Sequence, residues 1–359
     1  MYLGIDTSAY TTSAAIVEAS QCVWENRRLL EVPEGKRGLA QSQSFFRHTL
    51  HIPDVLEGVP PDCWPRIQGI GVSAVPRPVR GSYMPVFCVG VSLARGLACA
   101  LRIPLVETSH QEGHIAAGLW SSGLRSPGRQ LVPGLQGADD QQRFLSFHVS
   151  GGTTELLHVT VDETGGFGLE IVGWSEDLHA GQFIDRVGVS LGLPFPAGPH
   201  LAALSLSSCR AAERLLPSAV KKDVKGAEAH VGTLQGWDGG GQDQGGAASG
   251  LSGVKVSFSG VESAAQRLIQ KGTPPQDVAR AVEGCCLRSF AKMIEFAVEE
   301  TGLNTVLMIG GVAANGFLRE RLPGAVPRAR FFWAEAAWSS DNAAGVALIA
   351  QGRLSSHGQ

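Results

Sequence analysis

Short apolar runs separated by polar or glycine-rich turns recur along the chain, and their spacing predicts a mixed α/β fold. Residues 2–20, "YLGIDTSAYTTSAAIVEAS", contain a strand-like run, a Ser/Thr turn and a second strand-like run, which predicts a β-hairpin. Residues 144–161, "FLSFHVSGGTTELLHVTV", repeat this pattern around a Gly/Thr turn. Two such hairpins in one chain indicate an internally duplicated architecture at the scale of a domain.

The segments that follow each hairpin add further strands and helices. A strand is predicted at 67–76, "IQGIGVSAVP", and the dense apolar residues of 86–103 predict a buried helix. A short strand, "PLVETS", precedes a helix at 109–119. Later in the chain we predict a helix at 179–191, a strand, Gly-Gly turn and helix from residue 305, and a capped C-terminal helix from residue 337.

The composition of the 359-residue chain is that of a globular protein, with 43% hydrophobic and 18% charged residues. A net charge of −3 excludes a strongly basic protein that coats nucleic acid, so an RNA contact would need a basic partner. No signal peptide is visible, and no apolar run approaches the roughly 20 residues of a membrane span. Seven cysteines without a CxxC pair indicate reduced thiols, as expected of a cytoplasmic protein. Because no membrane span is predicted, we expect no membrane contact.

The stretch "SHQEGHIAAGL", residues 109–119, raises the question of a metal site. His110 and His114 are one helical turn apart, so both imidazoles share a helix face and can reach one ion. Ser109 and Glu112 form an S-x-x-E capping box that starts the helix at or just before His110. The positive end of the helix dipole is expected to keep both rings neutral for ligation. The alternative is two ordinary polar residues on an exposed helix.

A third metal ligand has to come from elsewhere in the chain. Asp341 in "SSDNAAG" is the candidate, because an oxygen donor beside two imidazoles suits iron, zinc or magnesium. The alternative is that this segment only caps the helix that follows, a role open to Ser339, Ser340 or Asp341.

Glycine turns after apolar strands form the second candidate site. "HVSGG" at 148–152 and "MIGGVAANG" from residue 308 each let the backbone approach a phosphate. Together with the opening "GIDTS" hairpin they predict an actin-like, sugar-kinase-like ATPase fold, in which two duplicated lobes surround a central nucleotide cleft. A Rossmann fold is excluded because no G-x-G-x-x-G follows the first strand. Asp185 either contacts the ribose hydroxyls or is a solvated residue paired with Arg186 or another neighbour.

The predicted organisation has two lobes and a returning C-terminal segment. The N-terminal lobe spans 1–118 and a loop spans 119–142. The second lobe spans 143–325 and includes a Gly-rich insertion, 216–252, without a core of its own. A C-terminal strand and helix, 326–359, return to the metal site.

Seven motifs in this order resemble the TsaD (Gcp) family of tRNA threonylcarbamoyladenosine synthases, formerly known as O-sialoglycoprotein endopeptidases. They cover nearly the whole chain apart from 120–142 and 216–252. The motifs are "LGIDTSAYTTSAAI", "HQEGH", "VSGGTTEL", "AGQFIDRVGVSLGLPFPAGP", "VSFSGVESA", "GGVAANGFLRE" and "SDNAAGVALIA".

The resemblance implies an activity and a set of site residues. A threonylcarbamoyl group would pass from threonylcarbamoyl-adenylate to an adenosine amine in tRNA, assisted by one divalent metal on His110, His114 and Asp341. ATP or threonylcarbamoyl-AMP would be the nucleotide ligand. Partners would include an adenine nucleotide, tRNA, and other threonylcarbamoylation proteins or a homo- or heterodimer partner. The expected catalytic residues are Asp6, Ser8 and Thr12. The expected nucleotide-binding residues are His148, Val149, Ser150, Gly151, Gly152, Asp185, Gly198, Gly310, Gly311 and Asn315.

Departures from the family pattern concern the substrate side. Two family acids are Tyr10 and Thr11 here, and the histidine of "SGGHT" is Thr153. Further departures are Leu178 for an aspartate, with Asp177 kept, Glu262 for a lysine, and a rewritten turn after residue 75. These changes favour a paralogue with altered substrate or partners. The readings left open are a transferase, a non-catalytic nucleotide-binding regulator and, less favoured, an ATP phosphotransferase. A peptidase is disfavoured because residue 111 is Gln, unlike the glutamate of H-E-x-x-H.

Overall fold

A computed structural model of the chain describes residues 1–8, 10–31, 39–79, 81–124, 142–161, 166–220, 227–228, 230–232 and 251–356. Among these residues, no helix is both long and apolar enough to cross a membrane. Most of the predicted loop 119–142 and the Gly-rich stretch 233–250 lie outside the described residues.

The first sheet has five strands in the order β3-β2-β1-β4-β5. β1 pairs antiparallel with β2, as the opening hairpin predicted, and parallel with β4. The buried apolar runs of β1 and β4 place them at the centre of the sheet. The strands are β1 (Tyr2–Thr7), β2 (Thr11–Glu18), β3 (Gln21–Leu29), β4 (Gly69–Val75) and β5 (Leu105–Ser109).

The second sheet repeats this arrangement within a larger set of strands. Its path is β13-β12-β6-β7-β8-β11-β9, and β10 pairs with β8. The strands are β6 (Gln142–Val149), β7 (Thr154–Val161), β8 (Phe167–Ser175), β9 (Ala227–Glu228), β10 (His230–Gly232), β11 (Ser252–Val256), β12 (Thr305–Ile309) and β13 (Arg330–Trp333). The run β8-β7-β6-β12-β13 has the strand order and directions of β3-β2-β1-β4-β5. The predicted internal duplication is therefore confirmed.

Helices follow equivalent strands in the two halves. α2 connects β4 to β5 and α8 connects β12 to β13, while α3 and α10 follow the last strand of each half. The helices are α1 (Gln41–Glu57), α2 (Phe87–Leu101), α3 (His110–Ser121), α4 (Ala180–Ser190), α5 (Gly198–Ser205), α6 (Ser259–Gln270), α7 (Pro275–Thr301), α8 (Gly316–Ala325), α9 (Ala336–Ser339) and α10 (Ala344–Ser356). Short 3-10 helices occupy 64–66, 210–214 and 311–314.

The last helix of each half crosses to contact the other half. α10 packs on β1 and β4 of the first sheet, and α3 contacts β12 of the second. The two helices meet at Gly113 and Gly345, where a Cβ on Gly345 would collide with the Gly113 carbonyl oxygen. Gly71 on β4 is close-packed as well, since its Cβ would lie 2.6 Å from the Val346 carbonyl oxygen. Glycine is needed here because backbone meets backbone.

Two features of the fold differ from the expectation. α2 is buried on one face only: Leu101 is 38% exposed, whereas Phe87, Ala94 and Ala98 are buried. The prediction of a buried helix holds for one face only, because much of the apolar character of α2 comes from small residues at the surface. In the segment 216–252, Leu216 and Ala219 join the core of the second half. β9 and β10 in the same segment pair with β11 and β8.

The helix crossing predicts an unequal response to two glycine substitutions in α10. Gly345→Ala is expected to lower the free energy of unfolding by about 3 kcal/mol, because the added methyl group overpacks against α3. Gly352→Ala is the matched control, since nothing lies within 4 Å of its added Cβ. The control should be neutral or up to about 1 kcal/mol more stable, as helix propensity predicts. Urea unfolding monitored by circular dichroism measures both, and equal effects would contradict the close crossing.

Candidate metal centre and nucleotide cleft

Three candidate ligand atoms meet at the start of α3. Nε2 of His114 lies 3.0 Å from Nε2 of His110 and 3.3 Å from Oδ1 of Asp341, and Nε2 of His110 lies 3.5 Å from the same oxygen. Ligand atoms about 2.0–2.1 Å from one tetrahedral ion lie about 3.3–3.4 Å apart. The triangle of donors in this structure therefore has the size that a single transition-metal ion requires.

Local structure explains why the two histidines face this point. Ser109 Oγ accepts a hydrogen bond from the Glu112 backbone and Glu112 Oε2 accepts one from the Ser109 backbone, so the predicted capping box is confirmed. Glu112 also forms an ion pair with Arg353 of α10 at 3.2 Å. The start of α3 is thereby fixed against the helix that follows Asp341.

Asp341 does not cap α10. Asn342 Oδ1 accepts a hydrogen bond from the backbone of Ala344, the first residue of that helix. The polar group at the helix start is therefore Asn342, which the sequence interpretation had not considered. The Asp341 carboxylate instead points to the histidines, and Thr11 Oγ1 donates to its Oδ2 at 3.3 Å.

Asp6 stands behind the histidines. It is fully buried, and its Oδ1 lies 3.2 Å from Nδ1 of His110. A carboxylate that accepts the Nδ1 proton fixes the tautomer and orients Nε2 toward a ligand. This contact gives Asp6 the geometry of a positioning residue.

The carboxylates of the cluster create a site that favours positive charge. Burial lowers the pKa of His110, but the carboxylates of Asp6 and Asp341 outweigh burial and raise it to about 10. Burial raises the pKa of Asp341, yet hydrogen bonds from His110 and His114 hold it well below its usual range. The helix start alone would favour neutral rings, and the two carboxylates oppose that preference at His110. The same two carboxylates would stabilise a divalent cation bound at this point.

The other expected catalytic residues line the opening hairpin. Thr12 Oγ1 and His48 Nδ1 are 2.8 Å apart, and both residues are buried. Ser8 Oγ is buried and has no hydrogen-bond partner among the described residues. Tyr10 is 41% exposed at the turn. Sequence reasoning missed His48, because a single histidine in an amphipathic helix carries no motif.

The glycine turns of the second half lie side by side. Gly310, at a φ of 93°, approaches the Val149 carbonyl and the His148 ring so closely that no Cβ fits. Gly151, Gly152 and Gly311 face open space, with nothing within 4 Å of an added Cβ. Ser150 closes its turn through a backbone hydrogen bond to Thr153 at 2.8 Å. Exposed backbone of this kind is suited to an anionic group.

The remaining nucleotide candidates are held by hydrogen bonds within the protein. Asp185 Oδ1 accepts from the Ala197 backbone at 2.8 Å, next to Gly198, and burial raises its pKa. This hydrogen bond accounts for the position of the Asp185 carboxylate without a contact to ribose or an ion pair with Arg186. Asn315 caps α8 through the Leu318 backbone and donates to Glu283 at 2.8 Å.

The rewritten turn after residue 75 adds a cation near the cleft. Arg77 forms an ion pair with Glu155 at 2.6 Å, and Gln111 Nε2 donates to the other oxygen of Glu155 at 2.8 Å. Burial raises the pKa of Glu155, and Arg77 opposes that shift. The sequence could not reveal this cluster because its members come from three distant segments.

A family model described as TsaD, tRNA N6-adenosine threonylcarbamoyltransferase, matches residues 64–348. The chain belongs to this family. A TsaD-family relative from Thermus thermophilus, named tRNA N6-adenosine threonylcarbamoyltransferase, is 29% identical over 97% of this chain and 91% of its own. The matched range begins after the hairpin that carries Tyr10 and Thr11.

Two solved structures share the fold of this TsaD-family chain. Full-length HypF in its phosphate- and nucleotide-bound form has a TM-score of 0.56 at 11% identity, covering 98% of this chain and 46% of HypF. The activator of 2-hydroxyisocaproyl-CoA dehydratase from Clostridium difficile, with bound ADPNP, has a TM-score of 0.50 at 12% identity, covering 100% and 97%. The fold is the actin-like, sugar-kinase-like ATPase fold, as predicted.

We expect substitution of the triad to remove bound metal. His110→Ala should lower the Zn²⁺ or Fe²⁺ content of the purified protein from about one ion to well below one, because the site loses one of the imidazoles that hold the ion. His200→Ala is the control, since His200 is exposed on α5 and remote from the cluster. Metal content by plasma mass spectrometry decides, and an unchanged content in His110→Ala would exclude the triad as ligands.

The Asp177 carboxylate, which matches the family pattern, should make the stability of the protein depend on pH. Burial raises its pKa, but donors from Ser257 at 2.5 Å and from the Leu178 and Phe258 backbones at 2.5 and 2.9 Å outweigh burial and lower it. A carboxylate whose pKa is lower in the folded than in the unfolded protein stabilises the fold at pH values above its ordinary pKa of about 3.9. This stabilisation is lost as the pH falls through the pKa of the folded protein.

Asp177→Asn should therefore reduce the free energy of unfolding by about 1 kcal/mol at pH 7, since solvent screens a partly exposed carboxylate. The difference from the wild type should shrink as the pH falls below about 4. Urea midpoints measured between pH 3 and 7 test this. Asp54→Asn, at an exposed ion pair with Arg28, is the control and should change little.

Proposed function

We propose that this protein is a metal-dependent threonylcarbamoyl transferase that uses an adenylate donor. The observation that carries the proposal is the convergence of His110, His114 and Asp341, all within 4.8 Å of one another. This arrangement is maintained by Asp6, Thr11 and the α3–α10 crossing. These contacts hold the three ligand atoms in positions that suit one ion, which supports a metal-dependent reaction.

The proposed reaction joins an amine nitrogen to the carbamoyl carbon of the donor. The bond between that carbon and the phosphate oxygen breaks, AMP leaves with the electron pair, and the amine proton passes to solvent. A divalent metal held by the triad would act as a Lewis acid and as a template for the donor. The turns at Ser150–Gly152 and Gly310–Gly311 would bind the phosphate through backbone amides. Asp6 would orient His110 throughout.

The acceptor is a tRNA adenosine or an altered amine. Two carboxylates of the family pattern are replaced by Tyr10 and Thr11, so neither of these positions supplies a carboxylate that could accept the amine proton. The −3 chain would use further threonylcarbamoylation proteins, or a dimer partner, for contact with RNA. The same replacements favour a second candidate function, a nucleotide-binding regulator of an active synthase.

AMP release from threonylcarbamoyl-adenylate separates these functions. The purified protein should release AMP, and chelator or Asp341→Asn should reduce the rate by at least about 100-fold, because the loss of a ligand exceeds the 10–100-fold effect of outer contacts. Asp54→Asn, at an exposed residue outside the donor set, is the matched control and should leave the rate unchanged. Adding tRNA, and then the other proteins of threonylcarbamoylation, shows whether labelled threonine reaches RNA.

Three outcomes of that assay decide. Release that survives chelator and Asp341→Asn excludes metal dependence. Tight adenylate binding without release, alone and with the added proteins, favours the regulator. Metal-dependent release without labelled tRNA assigns a different acceptor.

A further inference from the structure

His148 is the residue before the last residue of β6, next to the glycine turn. Its side chain lies on the face of the strand that packs toward α3. Side chains of a strand alternate between its faces. Leu145, Phe147 and Val149 enter the core of the second half, whereas Phe144 packs with Ile115 and Leu119 of α3. His148 shares the face of Phe144. Its imidazole therefore lies beside the start of α3, where the metal triad is found.

The His148 ring is buried without a hydrogen bond. The residue is 4% exposed, and neither Nδ1 nor Nε2 has a partner among the described residues. A buried polar group left unpaired is destabilising, so native proteins almost always satisfy it. A ring that keeps both nitrogens free at this depth is suited to a ligand that supplies the missing interaction.

Two of the three imidazole pairs have the spacing of ligands on one shared ion. Ring centroids are 4.4 Å apart for His110 and His114, and 4.6 Å apart for His114 and His148. With metal–nitrogen bonds of about 2.0–2.1 Å, each centroid lies about 3.2 Å from the ion. Two rings at angles of about 90–109° are then about 4.5–5.1 Å apart. The ring of His148 is thus nearly as close to His114 as the ring of His110 is.

We propose that His148 is a third imidazole ligand of the ion held by His110, His114 and Asp341. The proposal rests on the metal centre of the proposed function and deepens it. The ligand atoms of the other three residues already lie within 4.8 Å of one another. His148 lies outside that set, so ligation requires its ring to move toward the triad.

A site of three imidazoles and one carboxylate selects the metal class. Nitrogen donors suit zinc and iron, whereas magnesium demands oxygen ligands and keeps its waters. The proposal therefore excludes Mg²⁺ from the choice of iron, zinc or magnesium. It also joins the two sheets through one ion, because His148 belongs to the second sheet and α3 follows the first.

The decisive measurement is the number of imidazoles around Zn²⁺ by X-ray absorption spectroscopy. The wild-type protein loaded with Zn²⁺ should show three, and His148→Leu should show two. The Kd for Zn²⁺ should rise at least about 10-fold in His148→Leu. His158→Leu is the control, because this histidine on β7 pairs with Glu170 at 3.0 Å, and it should keep three imidazoles. Mg²⁺ should not compete with Zn²⁺.

The outcomes distinguish this inference from the proposed function. Two imidazoles in the wild type, which needs no variant to fold, overturn it, as does an unchanged Kd in His148→Leu. A variant that keeps its Zn²⁺ affinity and loses only adenylate affinity assigns His148 to the nucleotide and overturns it too. Three imidazoles without AMP release support the ligand assignment and remove only the transferase. A wild-type protein that binds no Zn²⁺ overturns both.

Discussion

The close crossing of α3 and α10 is the constraint on which the site depends. Gly113 and Gly345 let two backbones touch, and Gly71 lets α10 lie directly on β4. Each of these helices follows the last strand of one half and packs against the other half. Because the metal candidates stand at the starts of these helices, the crossing brings residues 110 and 341 together. A bulkier residue at the crossing would separate the ligands before it touched any of them.

Local sequence predicted most of what is periodic. Both hairpins, the strand, Gly-Gly turn and helix from residue 305, and the capping box at Ser109 follow from patterns a few residues long, which tertiary contacts reinforce here. What failed depends on packing. Whether an apolar helix such as α2 is covered on both faces is decided by its neighbours. The cap at Asn342 was missed because four adjacent polar residues offered the same chemistry.

From residue patterns alone the candidate site was accessible only as separate fragments, and it was the family resemblance that joined His110, His114 and Asp341. Spacing within one helix could suggest His110 and His114, but nothing local connects them with Asp341 or with the buried Asp6. Those two carboxylates also reverse the charge preference that the helix dipole alone predicts for His110. Arg77 and Glu155 form their pair across segments that the sequence separates widely. The chemistry of a site assembled from long-range contacts is therefore visible only in three dimensions.

The substitutions at the opening hairpin change the charge beside Asp341. A glutamate at position 11 would place a carboxylate beside Asp341, where Thr11 now donates a hydrogen bond to Oδ2. Like charges at that distance disfavour ionisation of both groups, unless a cation compensates. With a neutral hydroxyl there, Asp341 stays available to the histidines without a competing acid. The centre thus keeps its ability to hold a cation while losing a group that could accept a proton from an amine. In the proposed reaction, such a change would alter the acceptor that can react more than the donor that can bind.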